Sequence, residues 1–457
     1  MTRLHFVRVG AACVIKVCTM RRFVLHLALA SSLSCFTMAN ATAAEQGVGS
    51  SGGQAGSAIS DDPVDPSNAL GDIRERRTQR DSLFGVSPLK SAHDAADEMK
   101  KEVDEASHIE LGLMINHLFQ GITEALPDND KHGMTTDLDF VGSWKLAKRG
   151  TPTQGKLYFH VEGRWDYGTT GPQNLGFVSL ASAIGTANAF SAYTPTFIMR
   201  NFYWEQGSQK AGWAFRTGKI TPDSILATSR HISPVTTFLP NGGTGLFSSG
   251  YPDSGLGVVA VGYPSDRFRI LGLVSDANAN RFDLGDISAG DFYTAFELGV
   301  KFAPKSKKAG FSKFTVWHND GTKDGKPINA STGLEGWGMT VKLEHEFSDD
   351  GNKVGIFRWG KSEDGTSLYN EQVGLHFLFY DPDGFEGLQN DLIGVAANWA
   401  EASATGARDE YNAEVFYRFP FFTGLDSTVS YQYVKHPANT REIDHASVFS
   451  FRLRAVF

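Results

Sequence analysis

The stretch GKLYFHVEGRWDYG, from Gly155 to Gly168, sets Glu162, Arg164 and Asp166 two residues apart, in step with Tyr158 and His160. At that spacing the side chains share one face of an extended strand, while Leu157, Phe159, Val161 and Trp165 take the other. A carboxylate and a guanidinium side by side can accept and donate charge-assisted hydrogen bonds to one solute. The pattern recurs: Glu297 and Lys301 alternate with Phe296, Leu298 and Val300, and Lys342, Glu344 and Glu346 with Val341, Leu343 and His345. Glu414 with Arg418, and Arg452 with Arg454, repeat it further on. A face that selects anions needs mostly basic residues, and one that selects cations mostly acidic ones. Mixed signs interleaved with aromatics suit neutral polyhydroxylated solutes, whose hydroxyls both donate and accept. For any single charge the plainer reading is that it keeps its face wetted.

Other chemistries find little support. No H-E-x-x-H or C-x-x-C occurs, so no catalytic residue, metal ligand or cofactor is assigned. His160 beside Glu162 is too generic for a hydrolase, and His345, His376 and His436 stand singly as packing residues.

The elements that must position these faces are legible. From Ser107 onward, alternating segments of roughly ten residues recur between Gly, Asp, Asn and Pro, as the strands of a membrane barrel do. Candidate strands lie near 109–119, 134–146, 155–167, 196–206, 211–220, 256–264, 266–275 and 291–303. Others follow near 310–319, 336–347, 353–361, 370–381, 392–401, 409–420, 426–435 and 447–457. The fold class is therefore all-β, a transmembrane antiparallel β-barrel of about 16 strands over 107–457. Connections after even strands are mostly tight (GSQK, YPS, SDDGN), whereas Gly168–Pro195 and Thr221–Gly255 follow odd ones. A soluble sandwich has no reason to sort loop length by parity. The final strand SVFSFRLRAVF fits the same picture: Phe449, Phe451, Leu453, Ala455 and Phe457 face lipid, and Arg452 and Arg454 point inward. A barrel of this size keeps a water-filled channel rather than a packed core.

The long connections are natural places for a constriction. The second carries Arg230, His231 and Asn241, and Arg200, Arg216 and Lys219 lie on neighbouring strands. Together with Glu162, Arg164, Glu297, Glu344, Glu414 and Arg418 they form the candidate pore-lining set.

The segment before the barrel divides in three. From Met20, MRRFVLHLALASSLSCFTMANATAA has two arginines, a short apolar run and small residues, so 1–44 reads as a cleaved export signal starting at Met20. All three cysteines and five basic residues lie there, without one acid. The remaining 38 basic residues face 51 acids, a net charge of −13 that makes nucleic acid a poor partner. Residues 45–82 are rich in Gly, Ser, Asp and Pro and read as a flexible leader. Residues 83–106 carry Ala92, Ala95, Ala96, Met99, Val103 and Ala106 at helical spacing, a short periplasmic helix.

Two stretches carry a family resemblance. GKITPDSILATS…FLPNGG…YPDSGLGVVAVGYPSDRFRILGLVSDANA and DEYNAEVFYRFPFFTGLDSTVSYQYVKHPAN resemble the bacterial carbohydrate-selective porins of the OprB type. The corresponding motifs are Gly218-Lys219-Ile220, Asp276-Ala277, Glu414-Val415-Phe416-Tyr417-Arg418 and Gln432-Tyr433 before Pro437. The resemblance covers roughly Met134 to Phe457. It implies a 16-stranded porin passing glucose and other sugars by facilitated diffusion across the bacterial outer membrane. The leader before Ser107 departs from that family's usual short start. Phe457, with apolar residues at every second place before it, resembles the signal read by barrel-insertion machinery. The implied partners are carbohydrate solutes, that machinery, outer-membrane lipid and lipopolysaccharide; a homotrimer is left open. The alternatives are a general, organic-anion or phosphate porin, and, from other classes, a barrel hydrolase or an adhesin.

Overall fold

The computed structural model describes residues 57–78, 82–167, 175, 196–306, 309–363, 365–382, 388 and 390–457. The export signal, the first part of the leader and most of the loop 168–195 lie outside them.

Sixteen strands form one closed antiparallel barrel in sequence order. They are β1 (Ile109–Ile122), β2 (His132–Ala147), β3 (Gly155–Tyr167), β4 (Thr196–Ser208), β5 (Trp213–Ile220), β6 (Gly255–Ser265), β7 (Phe268–Asp276) and β8 (Phe292–Val300). The circuit continues through β9 (Ser312–Asn319), β10 (Gly336–Glu346), β11 (Lys353–Ser362), β12 (Tyr369–Tyr380), β13 (Leu392–Ala402), β14 (Glu410–Phe422), β15 (Leu425–Lys435) and β16 (His445–Val456). The last strand closes on the first, from Met114 opposite Val456 to Ile122 opposite Val448. In hydrocarbon every backbone N–H and C=O needs a partner, and closure supplies one at what would otherwise be two bare edges.

The alternation sorts side chains as period two requires. Phe296, Phe314, Val395, Val415 and Phe449 are exposed on the outer face. Arg452, Arg454, Glu297 and Lys342 are buried on the inner one. Exposed aromatics gather near both rims, Trp144, Trp213 and Phe347 at one and Trp337, Tyr433 and Phe449 at the other. An apolar band between aromatic girdles is the outer surface of a membrane barrel. No helix among the described residues is long and apolar enough to cross a membrane.

One finding agrees with the sequence reading and one departs from it. The lumen is narrowed by a long connection, as the sequence suggested. The connection 221–254 turns inward, and its Ile225, Leu226 and Tyr251 join Tyr203, Ile220 and Val259 in a buried core. The leader differs from the flexible segment read over 45–82, because its second half is folded inside the barrel. Ile59 is fully buried there, and the helix α1 (Pro66–Thr78) packs Ala69, Leu70 and Ile73 into the same core. Asp65 caps that helix. Its Oδ1 accepts from Ser67 N at 3.2 Å and its carbonyl from Ala69 N at 2.9 Å, while Pro66 needs no donor in the first turn. The chain then crosses the rim, where Phe84 packs on Phe421 at 5.0 Å. A second helix, α2 (Lys90–Ser107), leads into β1.

Candidate functional site

The walls of β2, β3 and β4 carry a ladder of charge. Arg164 Nε donates to Asp137 Oδ1 at 3.3 Å, and its other arm pairs with Glu162. Arg200 reaches the same Glu162 at 3.4 Å and Asp223 of the inward loop at 3.9 Å. Beside them Thr221 Oγ1 donates to Asn201 Oδ1 at 3.0 Å, which leaves Asn201 Nδ2 to donate to His160 Nδ1 at 3.4 Å. His160 Nε2–H is then the donor to Asp139 Oδ1 at 2.7 Å.

These groups line a cavity of about 160 Å³. It has room for several waters, or for a small solute in their place. The opposite wall is the inward loop, which presents Leu226, Ile232, Val235, Leu246 and Phe247, with Arg358 of β11 at the side. The leader adds Asp62 and Val64. The barrel wall is ionic, while the inward loop mixes these apolar side chains with Asp223, Ser224, Thr228, Ser229 and Thr244, an arrangement that offers a solute both polar and less polar contacts.

Carboxylate oxygens of Asp137, Asp139 and Glu162 lie within 4.8 Å of one another, a spacing a cation could bridge. Arg164 and Arg200 already supply positive charge at that spot. The chemistry favoured is hydrogen bonding by alternating donors and acceptors.

Residues 249–457 match the family described as carbohydrate-selective porin, OprB family. Over those residues the chain is similar to the OprB family. A high-pH structure of Pseudomonas putida OprB has the same fold: TM-score 0.63 at 13% identity, over 79% of this chain and 97% of that one. A low-pH structure of that protein gives a TM-score of 0.49 at 12% identity, over 79% and 96% of the two chains. A porin of Rhodopseudomonas blastica gives 0.46 at 12% identity, over 76% and 100%. No curated protein matches.

Of the residues the sequence singled out, the barrel brings Glu162, Arg164 and Arg200 to the cavity. Four others hold the inward loop to the wall. Glu297 accepts from Ala227 N at 2.6 Å, and Glu344 from Ser229 Oγ at 2.7 Å. Glu414 accepts from Leu239 N at 3.1 Å, and Arg418 donates to Thr236 O at 3.0 Å. Arg216 is fully buried between Asp65 and Glu205, away from the cavity. Lys219 is not a lumen residue. It shares the outer strand face with Thr217 and Phe215, where its Nζ donates to Arg281 O at 3.1 Å beneath the loop 277–291. Arg230 is exposed on the inward loop, and the side chain of Asn241 lies outside the described residues.

Sequence reasoning missed Asp62, Asp137, Asp139, Asn201, Asp223 and Arg358 at the cavity. For Asp137 and Asp139 the signal was present, since the two sit at period two in TTDLDF. Nothing local distinguishes Asp62.

Proposed function

We propose that this protein is an outer-membrane channel that passes neutral carbohydrates, mono- and small oligosaccharides, through the eyelet between the β2–β4 ladder and the inward loop. The single observation carrying this reading is the two-sided cavity. Glu162, Arg164, Arg200 and Asp139 offer acceptors and donors in alternation, and Leu226, Ile232 and Val235 line the same cavity. A sugar has hydroxyls around its edge and C–H groups on its faces, so both walls have something to touch. The match of residues 249–457 to a carbohydrate-selective porin family supports the same reading. So does charge: the cavity sets Asp139 and Glu162 beside Arg164, Arg200 and Arg358, and mixed signs do not single out an organic anion or phosphate. On this reading the protein is a channel rather than an enzyme, which the barrel fold and the family match support. Its partners on this reading are the sugar solutes, the lipid and lipopolysaccharide around the barrel, and the machinery that inserts it by way of Phe457.

Ion current through a single channel in a planar bilayer tests this. Glucose or a short maltooligosaccharide is expected to reduce the current in a saturable way. Arg200→Ala, which removes one charged donor from the cavity, should raise the half-blocking concentration about tenfold. An open channel whose current ignores sugar at every concentration would defeat the reading.

A further inference from the structure

The leader is tied to the barrel wall by contacts far too distributed for a passing chain. Tyr263 OH donates to Ala58 O, and Arg269 Nη1 donates to Ile59 O at 3.1 Å. Ser60 Oγ donates to Ser224 O of the inward loop. Asp61 pairs with Lys313 at 2.8 Å and accepts the more distant Arg269 at 3.8 Å. Asp65 pairs with Arg216 at 2.7 Å, and Asp72 with Arg454 at 2.7 Å. Arg76 pairs with Asp426. The ties therefore reach β5, β6, β7 and β9 at one end of the segment and β15 and β16 at the other. Burial works against ionising Asp61, but the charges of Lys313 and Arg269 hold its carboxyl well below the usual range, so that tie is intact at neutral pH.

Amid these paired acids Asp62 has no cationic partner within salt-bridge distance among the described residues. Its Oδ1 accepts from Val64 N at 3.0 Å, and the residue turns to the cavity with Val64. The charged groups facing it are Asp223 of the inward loop, Asp65 of its own segment, Arg200 of β4 and Arg358 of β11. We infer that residues 57–65 are a resident wall of the pore, and that Asp62 is a specificity-determining residue of the eyelet. The inference rests on the channel reading above, but not on which solute the channel prefers. A segment outside the barrel strands thus completes the filter, and the carboxylate it supplies sits where a passing solute must touch it. Burial, with Asp223 and Asp65 nearby, pushes the Asp62 carboxyl up to about 7. Asp62 is then uncharged in mild acid and ionised above neutrality, which adds to cation preference as pH rises.

Residues 57–457 contain no cysteine, so introduced thiols report alone. In the full exported chain, Asp62→Cys treated with a negatively charged methanethiosulfonate is expected to show a stepwise fall in single-channel conductance of about half or more, with the wild type unaffected. Asp62→Asn should keep the channel open and lose the rise in cation preference between pH 6 and 8. The double variant S60C/S224C should form a disulfide and conduct equally when oxidised and reduced. A thiol in Asp62→Cys that fails to react, modification without a change in conductance, or a channel shut by the disulfide and opened by reductant would each overturn the inference. The cysteine readout needs no sugar, so a wild type that sugars fail to block would sink the carbohydrate reading and leave this one standing.

Discussion

An Arg216→Met variant is expected to lose about 3–5 kcal/mol of stability, because it strands two carboxylates in a dry place. The guanidinium is fully buried and lies over the Tyr203 ring, 3.9 Å from its centroid. Its Nη2 donates to Glu205 Oε2 at 2.7 Å and its Nη1 to Asp65 Oδ2 at 2.7 Å. Methionine fills similar volume but returns no charge, so Asp65 and Glu205 face each other uncompensated. The cost falls on the join between leader and wall, and the leader should leave before the strands part. Heat-induced mobility shift on a gel reads barrel opening, and limited proteolysis within 57–78 reads leader release. Both should move to lower temperature, with proteolysis moving further. The triple variant R216M/D65N/E205Q should recover most of the loss. A wild-type melting temperature in Arg216→Met would mean that the pairing contributes nothing.

The second large effect is expected on the outer surface. Val415 lies in the middle of β14, opposite Val395 and Tyr431, and is 45% exposed where only hydrocarbon would cover it. Val415→Arg should cost about 2–4 kcal/mol near the midplane of a bilayer. In a soluble barrel the same change would place an arginine in water at almost no cost. Glu442→Arg, on the exposed connection after β15, serves as the control and should stay within about 0.5 kcal/mol. Folding into lipid vesicles under a urea gradient separates the two outcomes.

The barrel was readable from the chain because its physics is local. Period-two alternation needs only neighbours along one strand, and Phe449 to Phe457 showed which face meets lipid without any other strand in view. The parity of loop lengths was readable for the extremes, such as 266–267 against 221–254, but 381–391 after an even strand blurs it. What escaped was non-local. The acids of the leader look like a solvated, disordered composition until Arg216, Lys313 and Arg454 are brought beside them by barrel closure. The one local clue was Asp65-Pro66, a cap residue followed by a proline that suits the first helical turn. The inner set was over-read for a related reason. Alternation shows that Glu297, Glu344 and Glu414 point inward, but not that a loop from the far side of the sequence will use them as anchors. Lys219 failed differently: it obeys alternation but faces outward, and the loop 277–291 folds over to cover it.

Liposome swelling tests the central claim most directly, because it reads passage of the solute itself. Vesicles holding the purified protein are expected to swell with glucose and short oligosaccharides, and faster than with an organic anion of glucose size. Absence of swelling with any sugar, or equal rates for sugar and anion, would contradict the account.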